Sequence, residues 1–259
     1  MPSTIPPLLK QPKIILFDLD STLFSHTHSL ICALTAIQTT HPLLSTIPLL
    51  HLRKTYNASL QTTYNQYLTH QITFPETHAL KIKLFYNALD LPAPSSEQVQ
   101  EFRDVYKEAY RVNRVATDGS WDVLKRLRKM GWKVGIVTNG QAEEQEEKAR
   151  VIGVRELVDC LITSEEVGVC KPDRRIFERA VEIIGGSSGM RDGDEGVEEE
   201  AEVWMVGDDV EADVKGALGV GFKAVLYEDG VEKGSKMVDG KQVDIIGRMH
   251  ELLELLGLT

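Results

Sequence analysis

Apolar residues in this chain cluster in short runs that stop abruptly in polar ones. Residues 13–17 (KIILF), 133–138 (KVGIVT), 160–163 (CLIT), 203–206 (VWMV) and 223–227 (KAVLY) each read as a short buried strand. Helical stretches separate the later ones. Asp118 is placed to cap a helix running to Met130, which Gly131 stops. Gln141–Val151 reads as a charged helix, and Pro172–Ile184 as a helix opened by proline near its first turn. Strand alternating with helix implies parallel strands joined by right-handed crossovers.

The texture changes between about Ser25 and Ala116. This stretch is rich in Thr, His, Tyr and Gln and holds six of the seven histidines and six of the seven tyrosines. Tyr56, Leu60, Tyr64 and Tyr67 fall at helical spacing, as do Phe102, Tyr106 and Tyr110. It predicts an all-helical insert of several helices, broken at His41-Pro42, Pro48, Pro75 and Pro92-Ala93-Pro94. The tyrosine stripes suit the insert's own core, with stacking on an aromatic substrate as the other reading. Residues 185–202 (GGSSGMRDGDEGVEEEAE) are acidic and Gly-rich, lack the spacing of a calcium loop, and predict a flexible solvated loop.

Composition narrows the partners. With 29 Lys and Arg against 39 Asp and Glu, the net charge of −10 opposes nucleic acid, whose phosphates an acidic surface repels. A small phosphorylated substrate stays open, since one lysine and a metal ion can invert a local field. No apolar run approaches the length of a membrane span, and the N-terminus lacks a signal peptide's apolar segment. No membrane partner and a cytoplasmic location are the expectations, with a loose first dozen residues. Cys32, Cys160 and Cys170 match no disulfide or zinc spacing and read as free thiols.

The chemistry lies where the strands stop. The first strand ends in Asp18-Leu19-Asp20-Ser21-Thr22, and the second in Thr138-Asn139-Gly140. Lys171-Pro172 follows the third, and the fourth ends in Gly207-Asp208-Asp209, with Asp213 shortly after. In a parallel sheet these ends share one edge, where ligands bind. Acids, a hydroxyl, an amide and a lysine together suit magnesium-dependent phosphoryl chemistry. Mg2+ takes oxygen ligands, which Asp18, Asp208 and a backbone carbonyl near Asp20 could supply. Asp18 can attack phosphorus, while Asp20 protonates the leaving oxygen and then deprotonates water. That role asks for an Asp20 pKa above the ordinary, which neighbouring acids could provide. Thr138 and Lys171 would hold the non-bridging oxygens. Plainer readings remain for each motif. Asp18 and Asp20 suit a strand-terminal turn, Asn139-Gly140 a turn, Lys171 a surface charge, and Asp213 an exposed helix acid.

DLDST at 18–22, TNG at 138–140, KP at 171–172 and GDDVEAD at 207–213 follow in order along residues 13–230. In these the chain resembles the haloacid dehalogenase superfamily, in its branch of phosphatases with a helical cap after the first strand, such as acylneuraminate-9-phosphatase-like members. The resemblance implies an α/β fold: a Rossmann-like parallel-sheet core at 1–24 and 115–259, flanked by helices, with an inserted all-helical cap at 25–114. It implies Asp18 as nucleophile and metal ligand, Asp20 as acid/base and backbone ligand, and Asp208 as the third ligand. It implies Thr138, Asn139 and Gly140 around the phosphate and Lys171 neutralising both nucleophile and phosphate. Asp213 would steady the ligands or the lysine, with Asp209 as an alternate ligand. His26 and His28 fall where relatives carry a gating flap, so substrate contact is open beside a solvent-facing reading. Ser21 stands where many relatives have Gly.

The reaction implied is hydrolysis of a small phosphate monoester through an aspartyl-phosphate, by a monomer or homodimer. Two alternatives remain: a phosphomutase of the β-phosphoglucomutase type, and a non-catalytic binding member. Dehalogenase chemistry does not need an acid at the second position of the first motif, and Asp20 is there. The mutase's basic, Gly-containing cap loop has only HLRKTYNASL at 51–60 as counterpart, without Gly.

Overall fold

A computed structural model describes residues 13–69, 71–185 and 201–258. The N-terminal residues expected to be loose and most of the acidic stretch at 185–202, namely 186–200, lie outside the described residues. The chain divides into two compact units, residues 1–25 with 115–259 and residues 26–114.

In chain order, β1 (Lys13–Phe17) leads to four helices, α1 (His26–Thr40), α2 (Leu49–Leu68), α3 (Phe74–Ala88) and α4 (Ser96–Val112). Next come α5 (Ser120–Lys129), β2 (Lys133–Thr138), α6 (Ala142–Val151), β3 (Cys160–Thr163), α7 (Ser164–Val167) and α8 (Arg174–Gly185). The chain ends with β4 (Glu202–Gly207), α9 (Gly216–Gly219), β5 (Lys223–Tyr227), β6 (Gly234–Val238), β7 (Lys241–Ile246) and α10 (His250–Leu255).

The strands make one seven-stranded sheet in the order β3-β2-β1-β4-β5-β7-β6. Its pairs are parallel except β6 with β7. All of Ile14–Phe17 and Val134–Thr138 is buried, because helices cover both faces of such a sheet. Ile176, Phe177, Ala180 and Ile184 lie on one stripe of α8 and join Ile14, Leu16, Val137 and Met205 in a core cluster. The helical unit has its own core, in which Leu30, Leu34, Tyr56, Phe85 and Phe102 meet. Tyr56 stacks on Tyr106 at 5.0 Å between ring centroids, so part of the tyrosine stripe is core. Tyr64 and Tyr67 stay half-buried.

Three local expectations are corrected. Gly119, not Asp118, precedes α5; its φ is +78°, and His250 lies where a Cβ would project. Pro172 is not in a helical first turn, since α8 starts at Arg174 and residues 171–173 form a turn. The sequence reading also missed β6 and β7. All three cysteines are free. Among the described residues no helix is long and apolar enough to cross a membrane.

Candidate active site

Asp18, Thr138 and Asp208 lie at or just past the C-terminal ends of β1, β2 and β4, with β1 between the other two. Lys171 arrives on the loop between α7 and α8. Its side chain is 2% exposed, and Nζ donates to Asp18 Oδ1 at 2.6 Å, Asp213 Oδ1 at 2.6 Å and the Val137 carbonyl at 2.8 Å. Three acceptors match the three hydrogens of an ammonium. Burial works against that charge, but the Asp18 and Asp213 carboxylates outweigh it and hold Lys171 protonated above the ordinary lysine range.

Neighbouring groups fix the lysine. Asn139 accepts from the Lys171 backbone N–H at 2.7 Å through Oδ1 and donates to its carbonyl at 3.2 Å through Nδ2. The side chain expected to face a phosphate is thus turned onto the lysine's backbone. Asp213 Oδ2 accepts from the Asp209 N–H at 3.1 Å. Gly207 lets this acid approach, since a Cβ there would sit 2.2 Å from Asp213 Oδ2. Val210–Lys215 forms a widened π turn, of the kind that clusters at functional sites. Asp209 Oδ1 caps it, accepting from the N–H groups of Glu211 and Ala212.

Asp18, Asp208 and Asp213 each place a carboxylate oxygen within 4.8 Å of the others. No other group of potential ligands gathers this closely among the described residues. Asp18 is raised to about 7, first by burial and then by Asp213, against the pull of Lys171. Asp208 is raised to about 8, first by loss of water round its carboxyl and then by Asp18 and Asp213. The residue as a whole is exposed, so like-charge crowding is the part of that rise the geometry supports best.

When all three are ionised, the carboxylates against one ammonium leave two negative charges, the complement of a divalent cation. The donor set is all oxygen, which suits Mg2+, Ca2+ or Mn2+. Asp18 Oδ2 is buried and has no hydrogen-bond partner. Both oxygens of Asp213 are engaged, so the donors left for a cation are on Asp18 and Asp208. The Thr138 hydroxyl is also buried without a partner, as a donor awaiting an anion would be.

The Asp20 side chain stands outside this cluster. Oδ1 takes a hydrogen bond from Lys148 Nζ at 2.5 Å and Oδ2 one from Gln145 Nε2 at 3.0 Å. The side chain thus meets a cation and an amide from α6, while its charge also acts on Asp18. The Gly140 N–H donates to Ser164 Oγ at 2.9 Å. His26 pairs with Tyr110 at 2.7 Å inside the helical unit, and the histidines form no metal cluster among the described residues. Lys148 and Gln145 were missed because α6 reads simply as charged. The available signal was their i, i+3 spacing, which puts both on one helical face.

A family model for haloacid dehalogenase-like hydrolases matches residues 12–221. The chain belongs to this family. Among haloacid dehalogenase-like relatives, pyrimidine 5'-nucleotidase YjjG of Escherichia coli is 37% identical over 104 residues, 40% of this chain and 41% of that protein. Ribulose-1,5-bisphosphate 5-phosphatase of Halopiger xanaduensis is 28% identical over 180 residues, covering 66% and 70%. Glyceraldehyde 3-phosphate phosphatase of Methanothermobacter thermautotrophicus is 31% identical over 133 residues, covering 50% and 54%. The chain thus spans less than two thirds of the first and third. Among solved structures, the hydrolase YfnB of Bacillus subtilis, bound to magnesium, matches with a TM-score of 0.70 at 20% identity over 95% of this chain and 99% of that one. A dehalogenase with an intermediate complex matches at 0.69 and 18% identity, covering 96% and 98%. Identities this low speak for the haloacid dehalogenase-like fold alone.

Proposed function

We propose that this chain hydrolyses small phosphate monoesters with Mg2+, through an aspartyl-phosphate on Asp18. One observation carries the reading: Lys171 is locked between Asp18 and Asp213, while Asp18 keeps a buried oxygen without a partner beside Asp208. Asp18 and Asp208 would hold the cation, with the Asp20 backbone carbonyl as a third donor. When bound, Mg2+ would withdraw charge from the phosphoryl oxygens and let an anion approach an anionic carboxylate.

Asp18 then attacks phosphorus as the bond to the leaving oxygen breaks, and Asp20 gives that oxygen its proton. Asp20 next takes a proton from water. The hydroxide attacks phosphorus, releasing inorganic phosphate and restoring Asp18. Lys171 and the Thr138 hydroxyl meet the charge on the non-bridging oxygens, and Asn139 keeps Lys171 in place. Asp213 keeps the ammonium aimed at Asp18.

In this reading the helical unit at 26–114 is a cap that selects the substrate, which groups the chain with helical-cap, acylneuraminate-9-phosphatase-like members. The named relatives act on a nucleotide and on phosphorylated sugars, which supports a small phosphorylated metabolite as substrate. The test is phosphate release from p-nitrophenyl phosphate and a panel of phosphorylated metabolites, with Mg2+ and with chelator. Turnover that needs Mg2+ and vanishes in Asp18→Asn is expected. Full activity of a folded Asp18→Asn protein refutes the nucleophile.

A further inference from the structure

The acid/base of the proposed reaction is gripped from one side by α6. Lys148 Nζ lies 2.5 Å from Asp20 Oδ1 and 3.0 Å from Gln145 Oε1. Gln145 Nε2 lies 3.0 Å from Asp20 Oδ2 and 3.3 Å from the Asn139 carbonyl. The three side chains close a ring in which each carboxylate oxygen has a donor from α6. Lys148 and Gln145 are each only 4% exposed, whereas the Asp20 side chain keeps 35% of its surface open. The acid is therefore held at its back and reachable in front.

Burying a lysine amine is costly without a partner, and the carboxylate that Lys148 meets is Asp20. A further neighbour is the Phe24 ring, whose centroid is 5.1 Å from Nζ. Gly140 serves the same grip. A Cβ there would lie 2.3 Å from Gln145 Nε2 and would push the amide off Asp20. Immediately after Asp20 the backbone turns through Ser21 with φ of +67°, so the chain departs at once and α6 supplies the anchorage.

We infer that Lys148, assisted by Gln145, is a positioning residue that holds the Asp20 carboxyl in line for proton transfer to the leaving oxygen. This rests on the phosphatase reading above. A group acting through the proton donor matters most where the leaving oxygen is a poor one. An alkyl phosphate must leave as an alcohol, whereas p-nitrophenolate leaves with little help. A lysine that merely braces the loop would slow both substrates alike.

The experiment uses the full chain with Mg2+ and compares wild type, Lys148→Met, Gln145→Met, Asp20→Asn and the Asp20→Asn/Lys148→Met double variant. Each is assayed on p-nitrophenyl phosphate and on glycerol phosphate. General acid catalysis contributes about 10²–10⁴-fold. Lys148→Met is expected to lower kcat on glycerol phosphate by about 10²-fold or more, and at least ten times more than on p-nitrophenyl phosphate, with KM little changed. In the Asp20→Asn background the same change should have no further effect. Gln145→Met should shift the leaving-group selectivity in the same direction, and answers the question if Lys148→Met does not fold. Equal losses on both substrates, or losses that multiply in the double variant, overturn the positioning role. Where wild type does not turn over glycerol phosphate, an alkyl phosphate that it hydrolyses in the metabolite panel takes its place; wild type that hydrolyses nothing in that panel overturns the phosphatase reading, and the role of Lys148 with it.

Discussion

Lys171→Met is the sharpest probe of the charged triad. The substitution keeps most of the side chain's length and removes the ammonium. It leaves two acids, 6% and 1% exposed, without their shared cation, and the Val137 carbonyl without that donor. Breaking a buried pair from one side costs about 3–5 kcal/mol. For a domain of this size each kcal/mol moves the midpoint by about 2–4 °C, so Tm should fall by about 6–20 °C at pH 8 in chelator. The sign with pH follows from the carboxylates. Lys171 is held protonated above the ordinary lysine range, so its charge is constant between pH 5 and 8. Asp18 already stands at about 7 with the lysine in place, and without it this carboxylate can relieve the strain by binding a proton. The gap between wild type and variant should therefore be wide at pH 8 and narrow at pH 5. Thermal melts in chelator at pH 5, 6.5 and 8 measure it. Equal Tm values at pH 8, or a gap that ignores pH, would refute the picture of a buried, cation-compensated pair.

Three further outcomes are expected. Asp18 and Asp208, raised to about 7 and 8 from an ordinary 3.8, bind more protons folded than unfolded between about pH 4 and 8. Their effect is to lower metal-free stability as pH rises through that window, so Mg2+ should raise Tm more at pH 8 than at pH 5; melts at fixed Mg2+ test this. Gly207→Ala places a Cβ 2.2 Å from Asp213 Oδ2 and should cost about 1–3 kcal/mol by overpacking, while lowering turnover; a urea midpoint and a rate assay check it. Ser21→Gly relieves a left-handed residue at φ of +67°, a conformation costing about 1–2 kcal/mol for a side-chain-bearing residue. Part of that gain returns as unfolded-chain entropy, so Tm should stay level or rise slightly.

Much of the fold was legible because its strands are continuous apolar runs with polar ends. KIILF and KVGIVT could be read as strands on sight, and the parallel sheet followed from strands alternating with helices. The hairpin of β6 and β7 was not read, because its residues are mostly exposed or half-buried and show little apolar patterning. Its one local signal was Asp239-Gly240, whose φ values of +48° and +78° are those of a tight hairpin turn. At the site, motif order led to Asp18, Lys171, Asp208 and Asp213 because each follows a strand. What those motifs do not encode is orientation. Asn139 faces the lysine's backbone through a contact between loops distant in sequence, and Asp209 turns back to cap the residues that follow it. Gln145 and Lys148 were hidden for another reason: a buried lysine on a helix of Glu and Arg looks like any other surface charge until its neighbours are known.

The chain leaves the sheet unit at Ser25 and re-enters it at Val115, and these two residues are joined by a backbone hydrogen bond of 3.0 Å. Phe24 bridges Ala116, and the Thr117 N–H donates to the Leu23 carbonyl at 2.9 Å. Departure and return are thus a ladder's width apart, roughly 5 Å. Each doubling of the length of a segment spliced into such a gap adds only about 0.6 kcal/mol of closure cost. The ninety or so residues between are therefore a cassette. They can be shortened to a brief turn or exchanged for a foreign bundle, and the triad round Lys171, built wholly from the other unit, would be inherited intact.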